Sequence, residues 1–193
     1  MSSDSTQSMG QIFPDLNGPE SPVISGVAHD RSEAMVTIRD IADKPGVATS
    51  VFALLAEGGV NIDMIVQAVA ARSDGSAVAD ISITLPENQL RQAEDLLTEK
   101  QKTLGYKSLD FNPSVGKVSL VGVGMKTHSG ITASFFKALS DKSINVLMIS
   151  TSEIRISAVV PLDNLDEAVR AVHTAFDLDA EQVEAVVYGG TGR

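Results

Sequence analysis

An internal repeat is the feature of this sequence that most constrains its fold. Residues 46–65 (GVATSVFALLAEGGVNIDMI) align without a gap with residues 130–149 (GITASFFKALSDKSINVLMI), so that Gly46 stands opposite Gly130. Residues 81–93 and 156–168 align in the same way, and the connection between the two blocks is shorter in the second copy. Two matching blocks in the same order indicate one structural module that is used twice.

Each copy reads as strand, helix, strand, strand, helix, strand. In the first copy, the alternating run Val36–Arg39 predicts a strand, and Asp43-Lys44-Pro45-Gly46 predicts a turn that opens a helix. Apolar residues at helical spacing continue that helix as far as Gly58-Gly59. The later strands of this copy are predicted at Asn61–Ala70, at Val78–Leu85 after a hairpin around Asp74-Gly75, and near Tyr106–Phe111, with a second helix over residues 90–97. The strands of the second copy are predicted at about Lys117–Val123, Asn145–Thr151, Ile154–Val160 and Glu184–Tyr188, with helices at about Gly130–Asp141 and Asn164–Phe176.

This order predicts an α+β protein with two tandem ferredoxin-like βαββαβ domains, each an antiparallel sheet with helices on one face. We expect the first domain to cover residues 33–112 and the second to cover residues 115–190. Residues 23–30 form a spare β-rich run that is a candidate edge strand for either sheet. Residues 1–22 are rich in Ser, Gly, Pro and Asp, so we expect a flexible leader there.

Composition excludes several function classes. The chain of 193 residues has 15 Lys and Arg against 25 Asp and Glu, a formal net charge of −10, so a nucleic acid or an anionic membrane would be repelled. It has no Cys, which removes disulfides, thiolate nucleophiles and Cys-type zinc sites. No run approaches the length of a membrane span, and the N-terminus lacks the layout of a signal peptide. We therefore expect a cytoplasmic protein.

No catalytic constellation is evident in the sequence. The three histidines lack the spacing of metal ligands, and we predict no metal site and no cofactor. A phosphate-binding loop of the G-x-x-x-x-G-K-[ST] type is absent, and Gly122-Val123-Gly124 is only half of a dinucleotide-binding pattern. We expect that the chain alone is not an enzyme.

The first strand-to-helix loop of each copy is the candidate binding site. Residues 43–48 and 125–132 each lead into a helix N-terminus, where free N–H groups and the helix dipole favour a carboxylate. Asp43 beside such a loop can accept a hydrogen bond from an ammonium group. A carboxylate and an ammonium bound together describe a free amino acid. The alternative is that Pro45-Gly46 is only a turn and Asp43 only a helix cap.

The module resembles the ACT domain, a family that binds amino acids and regulates metabolic enzymes. The resemblance rests on the D-x-P-G pattern at Asp43–Gly46 and on the Asn-Ile pair at the second strand. The tandem copies, with GKVSLVGVGM (116–125), STSEIRIS (150–157) and VYGGTGR (187–193), resemble the regulatory half of aspartokinases. In that family the regulatory half also occurs as a separate beta subunit, which this chain resembles.

The resemblance implies an effector site between copy one of one chain and copy two of its dimer mate. L-threonine is the expected effector there, with L-lysine as a candidate at a second place. The residues implied for the threonine site are Asp43, Gly46, Val47, Ala48, Gln67, Ile131, Thr132, Asn145 and Val146. The residues implied for the second place are Asn61, Ile62, Asp63, Met125, Lys126, His128, Gly130, Ser152 and Glu153.

The resemblance also implies partners. We expect a homodimer and a catalytic alpha subunit, joined in a heterotetramer, with no nucleic acid and no membrane. The implied role is feedback inhibition of aspartate kinase in the synthesis of lysine, threonine and methionine. The alternative function is an ACT-type oligomerisation module that binds no effector.

Overall fold

The computed structural model describes residues 23–72, 75–124 and 129–178. Six strands and five helices lie in this part of the chain. The strands are β1 (Val23–Ala42), β2 (Ile65–Ala71), β3 (Ala77–Pro86), β4 (Ser108–Val123), β5 (Met148–Thr151) and β6 (Arg155–Pro161). The helices are α1 (Val47–Glu57), α2 (Leu90–Glu99), α3 (Gln101–Leu104), α4 (Ser129–Asp141) and α5 (Leu165–Ala175). The predicted leader and the predicted strand at Glu184–Tyr188 lie outside the described residues.

Two long strands run through both copies of the module. β1 joins the spare run after Val23 to the first strand of copy one, and β4 joins the last strand of copy one to the first strand of copy two. The sequence predicted these as separate segments. They are continuous because β1 and β4 pair antiparallel along most of their length, through irregularities around Asp30, Glu33 and Met35. Such bulges bend a strand without ending it.

The six strands of the described residues form one antiparallel sheet in the order β2-β3-β1-β4-β6-β5. Residues 33–42 of β1 pair with β3, and residues 115–121 of β4 pair with β6. The place beside the first strand of copy two is taken by residues 23–30, which pair with residues 117–123. Each half of the sheet therefore has four strands in the ferredoxin-like arrangement.

The helices cover one face of each half, and each half has its own core on that side. In the first half, Val36 and Ile38 of β1 pack with Val51, Leu55 and other fully buried residues. In the second half, Val118 and Leu120 of β4 do the same with a second cluster. The buried residues of this second cluster include Phe135, Leu139, Ile156, Ala158, Leu165 and Val172.

These cores show how the first strands of the two copies correspond, because Val36 and Val118 hold the same place in the two halves. A local turn supports the same alignment, in which Asp30 corresponds to Asn112 and Ser32 to Ser114. The Asp30 Oδ1 accepts a hydrogen bond from the Ser32 amide at 2.8 Å, and the Asn112 Oδ1 accepts one from the Ser114 amide at 3.0 Å.

In each half, one face of the sheet carries no helices, and these two open faces turn toward each other. β2 and β5 are the outermost strands in the sheet order, yet they are in contact. Between the halves lies an apolar cluster that we call the seam. Its residues are Met35, Met64, Val66, Val115, Leu147, Met148 and Val159. The sheet is thus folded over itself, with helices outside and the seam inside.

Two strands begin later than predicted. β2 begins at Ile65 instead of Asn61, and β5 begins at Met148 instead of Asn145. In the first case the Asn61 amide donates to the Gln89 side chain at 2.8 Å, so the pairing with β3 does not extend to Asn61. The Asp63 amide still donates to the Thr84 carbonyl of β3 at 3.0 Å.

Candidate functional site

The loop that leads into α1 contains the turn that the sequence predicts at Asp43–Gly46. Gly46 is the N-cap of α1 and has a φ of 92°, a left-handed conformation that glycine adopts without strain. No side chain caps this helix, and its first turn contains no acidic residue. Asp43 is therefore not a helix cap, and the amides of Ala48 and Thr49 lie where helix geometry supplies no acceptor.

Asp43 and Gln67 meet beside this loop. The Gln67 Nε2 lies 3.5 Å from the Asp43 Oδ1, at the limit of a hydrogen bond, and both side chains are exposed. The Asp43 amide donates to the Ala77 carbonyl at 3.1 Å, which fixes the loop to β3. The structure thus places a carboxylate, an amide group and an open helix N-terminus together.

The copy-two residues of the threonine site lie in the other half of the chain. Ile131 is buried and Val146 is half-buried, and both pack in the second core, so they can offer a ligand mainly backbone atoms. Thr132 is half-buried and Asn145 is exposed. Val47 and Ala48 pack against the first core. Within one chain, the predicted site residues therefore form two separate groups.

The second predicted group is also divided. Asn61 is exposed and Ile62 packs against the first core, whereas Asp63 contacts Lys117. Gly130 lies in the first turn of α4. Ser152 and Glu153 lie in the turn between β5 and β6, where the Ser152 amide donates to the Arg155 carbonyl at 2.7 Å. Met125, Lys126 and His128 lie outside the described residues.

A buried ion cluster at the seam is a feature that sequence reasoning missed. The Lys117 Nζ lies 2.8 Å from the Glu33 Oε1 and also contacts the Asp63 Oδ2. The side chains of Lys117 and Glu33 are 11% and 6% exposed, and that of Asp63 is 46% exposed. The signal that could have found it is a lysine inside the apolar run of β4, since a buried lysine requires an acidic partner.

Burial and hydrogen bonding shift the pKa values of Glu33 and Lys117 in this cluster. It raises the pKa of Glu33 above the usual 4.5, and the Lys117 ammonium only partly offsets this effect. Burial also lowers the pKa of Lys117, but hydrogen bonds to Asp63 and Glu33 outweigh it and leave that pKa above the usual 10.5. Lys117 therefore stays charged at neutral pH.

Other features of the described residues do not compete with these sites. No group of three or more His, Asp or Glu side chains in this part of the chain could hold a metal ion. No helix there is long and apolar enough to cross a membrane. An open groove lies between α4 and α5 in the outer helix layer, and it shares no residue with either predicted group.

The chain matches the family model of the ACT domain twice, at residues 36–101 and at residues 118–176. An aspartokinase from Corynebacterium glutamicum is 49% identical to it over 174 residues, a match that covers 90% of this chain and 41% of the relative. The chain thus spans about two fifths of the length of this relative.

Two solved structures match this chain along almost their own whole length. The regulatory subunit of aspartate kinase from Thermus flavus is 36% identical with a TM-score of 0.73, and the match covers 80% of this chain and 99% of that one. A chain in a structure of aspartokinase alpha and beta subunits is 36% identical with a TM-score of 0.72 and the same coverage.

Proposed function

Because the chain belongs to the ACT-domain family, in the tandem form of aspartokinase regulatory subunits, we propose that it binds threonine and thereby regulates aspartate kinase by feedback inhibition. Lysine is the second candidate effector, at the group that includes Asn61 and Asp63. Catalysis, ATP and aspartate belong in this proposal to a separate catalytic region or subunit, and the chain itself acts without a cofactor.

The observation that carries the proposal is the pairing of Asp43 and Gln67 beside the uncapped start of α1. The ammonium of threonine would meet Asp43, its hydroxyl would meet Gln67, and its carboxylate would meet the amides of the first helical turn. Three different polar groups of one small ligand thus find three complementary groups on the protein.

A partner chain would complete this site. The copy-two residues Ile131, Thr132, Asn145 and Val146 belong to the other core of the same chain, so a second chain is needed to bring such a group to Asp43. β2 supports a homodimer because its sequence IVQAVAA carries no charge, and Ile65 and Val69 are 52% and 58% exposed. A solved relative with alpha and beta subunits supports a heterotetramer with a catalytic alpha subunit.

The same exposed strand also favours the second candidate function, an oligomerisation module that binds no effector. The two functions differ in one property. Only a regulatory module must bind a small molecule more tightly in one arrangement of the assembly than in another.

The deciding experiment is a titration of the purified chain with threonine and, separately, with lysine by calorimetry. Asp43→Ala removes a charge-assisted bond, and we expect the threonine affinity to fall about ten- to a hundredfold. Gln67→Ala removes a neutral hydrogen bond, and we expect a loss of about two- to tenfold. Glu94→Ala and Asn88→Ala change exposed side chains of the same types elsewhere and serve as controls.

Oligomeric state is measured in parallel by sedimentation. Wild-type affinity in Asp43→Ala would refute the proposed threonine site. An absence of any thermal stabilisation by the twenty amino acids would leave the oligomerisation module, since a ligand at a hundredfold excess over its Kd stabilises by about 2.7 kcal/mol.

A further inference from the structure

The ion cluster of Glu33, Asp63 and Lys117 stands at the place where the two halves of the chain meet. Glu33 lies in β1, Asp63 in the connection before β2, and Lys117 in the part of β4 that belongs to the second half. Lys117 therefore ties the second half to two separate elements of the first.

The repeat shows what the fold requires at this place. In the alignment of the first strands Glu33 corresponds to Val115 and Lys117 to Met35, and in the alignment of the helix blocks Asp63 corresponds to Leu147. All three equivalents are apolar and pack in the seam. Apolar side chains thus fill the equivalent positions of the same seam, and a buried ion pair is often no more stabilising than apolar residues of similar size. The charges at Glu33 and Lys117 need a reason other than stability.

The cluster has two alternative arrangements within reach. Lys117 is shared between Glu33 Oε1 and the half-exposed carboxylate of Asp63. Glu33 Oε2 is buried and makes no hydrogen bond of ordinary geometry among the described residues, although the Thr84 hydroxyl also interacts with this carboxyl. This oxygen can therefore still accept a bond from the Lys117 ammonium. The Asp63 backbone is bonded to Thr84 of β3, but its side chain is half-exposed. If this carboxylate turns away, the Lys117 ammonium can shift to the second oxygen of Glu33.

We propose that Lys117 is a positioning residue that couples the connection Asn61–Asp63 of the first half to β4 of the second half. This inference rests on the proposed function, because that connection holds residues of the second candidate effector site and leads into β2, where Gln67 of the threonine site lies. A displacement of Asp63 alters the hold on Lys117 and therefore the position of β4, which leads toward the second binding loop.

The first test needs no ligand. Hydrogen exchange of the backbone amides is measured in the full chain and in Asp63→Ala, which removes a half-exposed side chain. We expect exchange over residues 117–123 to rise by about tenfold, and Asp63→Glu to return it to the wild-type rate. The matched control is Asp95→Ala, which removes an exposed carboxylate of α2 and should change exchange over residues 117–123 by less than about twofold. Unchanged exchange over residues 117–123 in Asp63→Ala would overturn the proposal.

The second test uses threonine as the probe. In the wild-type chain we expect protection near Gln67 and also over residues 117–123. The double variant Glu33→Val and Lys117→Met carries the repeat's own apolar residues, and its protection should remain near Gln67 only. If the double variant protects both regions as the wild type does, the coupling is wrong. If threonine protects nothing in the wild type, the proposed function fails, and the ligand-free test still decides the coupling.

Discussion

The seam has two equivalent sides, each built from residues of both halves of the chain, and the two sides fill the same positions with different chemistry. On one side Val115 and Leu147 of the second half and Met35 of the first bury apolar surface. At the equivalent positions of the other side stand Glu33 and Asp63 of the first half and Lys117 of the second. Both sets lie on the inner face of the same folded sheet. The comparison shows that the module folds with either apolar or charged side chains at these positions. The fold itself therefore does not require the charges of Glu33, Asp63 and Lys117.

A second feature of the inner face is alike in both halves. The Thr37 and Ser82 hydroxyls lie 2.9 Å apart, and the Ser119 and Ser157 hydroxyls lie 2.8 Å apart. In the repeat Thr37 corresponds to Ser119, and Ser82 corresponds to Ser157. These paired hydroxyls satisfy one another where water is largely excluded and therefore belong to the module rather than to one copy.

The substitution Lys117→Met has the largest expected effect on stability among the changes that test this comparison. It leaves the Glu33 carboxylate buried without its cation, and we expect the free energy of unfolding to fall by about 3–5 kcal/mol. Urea denaturation followed by circular dichroism measures this change. Adding Glu33→Val removes the stranded charge, so the double variant should recover most of the loss. A double variant no more stable than Lys117→Met would contradict the equivalence of the two sides of the seam.

Gly116 allows the two copies to be compared on the face of the sheet that the helices cover. A Cβ at this position would lie 2.7 Å from the Leu165 Cδ2, and Leu165 is fully buried and cannot move into solvent. We expect Gly116→Ala to cost about 1–3 kcal/mol in denaturant unfolding. The first copy holds Ala34 at the equivalent position, and Ala34→Gly is the matched control, with an expected cost of about 0.5–1 kcal/mol. A neutral Gly116→Ala would mean that α5 sits less tightly on β4 than the structure shows.

The pH dependence of stability is the smallest effect that distinguishes the two sides of the seam, because only the side built from Glu33, Asp63 and Lys117 carries titrating groups. The pKa of Glu33 is raised above 4.5 in the folded chain, so its contribution to stability is complete below pH 4.5 and is lost as the pH rises through the folded value. Lys117 and Asp63 face this carboxyl. The raised pKa of Lys117 affects stability only above about pH 10.5.

We therefore expect the unfolding free energy of the wild type to decline relative to Glu33→Gln as the pH rises from 4.5 toward neutrality. Parallel curves for the two proteins, from urea titrations at several pH values, would show that the Glu33 pKa is not raised. Asp163→Asn, on the exposed surface after β6, controls for the removal of one carboxylate.

The repeated module and the turn before α1 were predicted from the sequence, but the seam was not. The turn at Asp43–Gly46 was predicted from its own residues, and the structure has Gly46 in the left-handed conformation that this turn requires. The proximity of Gln67 to Asp43 came only with the resemblance to a known family, since 24 residues separate the two positions. Lys117 was not singled out as a partner of any acid, because a pattern along one strand does not show what faces that strand.

The sequence by itself determined that one module of strands and helices is used twice, where most of its described elements lie, and the turn at Asp43–Gly46, because repeats, periodicity and turn residues act over a few neighbouring positions. Only the tertiary structure decided that β1 and β4 are continuous through both copies, that the open faces meet, and that Lys117 lies between Glu33 and Asp63. Those contacts join residues 84 and 54 positions apart. Which distant residues meet depends on how the whole sheet bends, and no local pattern specifies that bend.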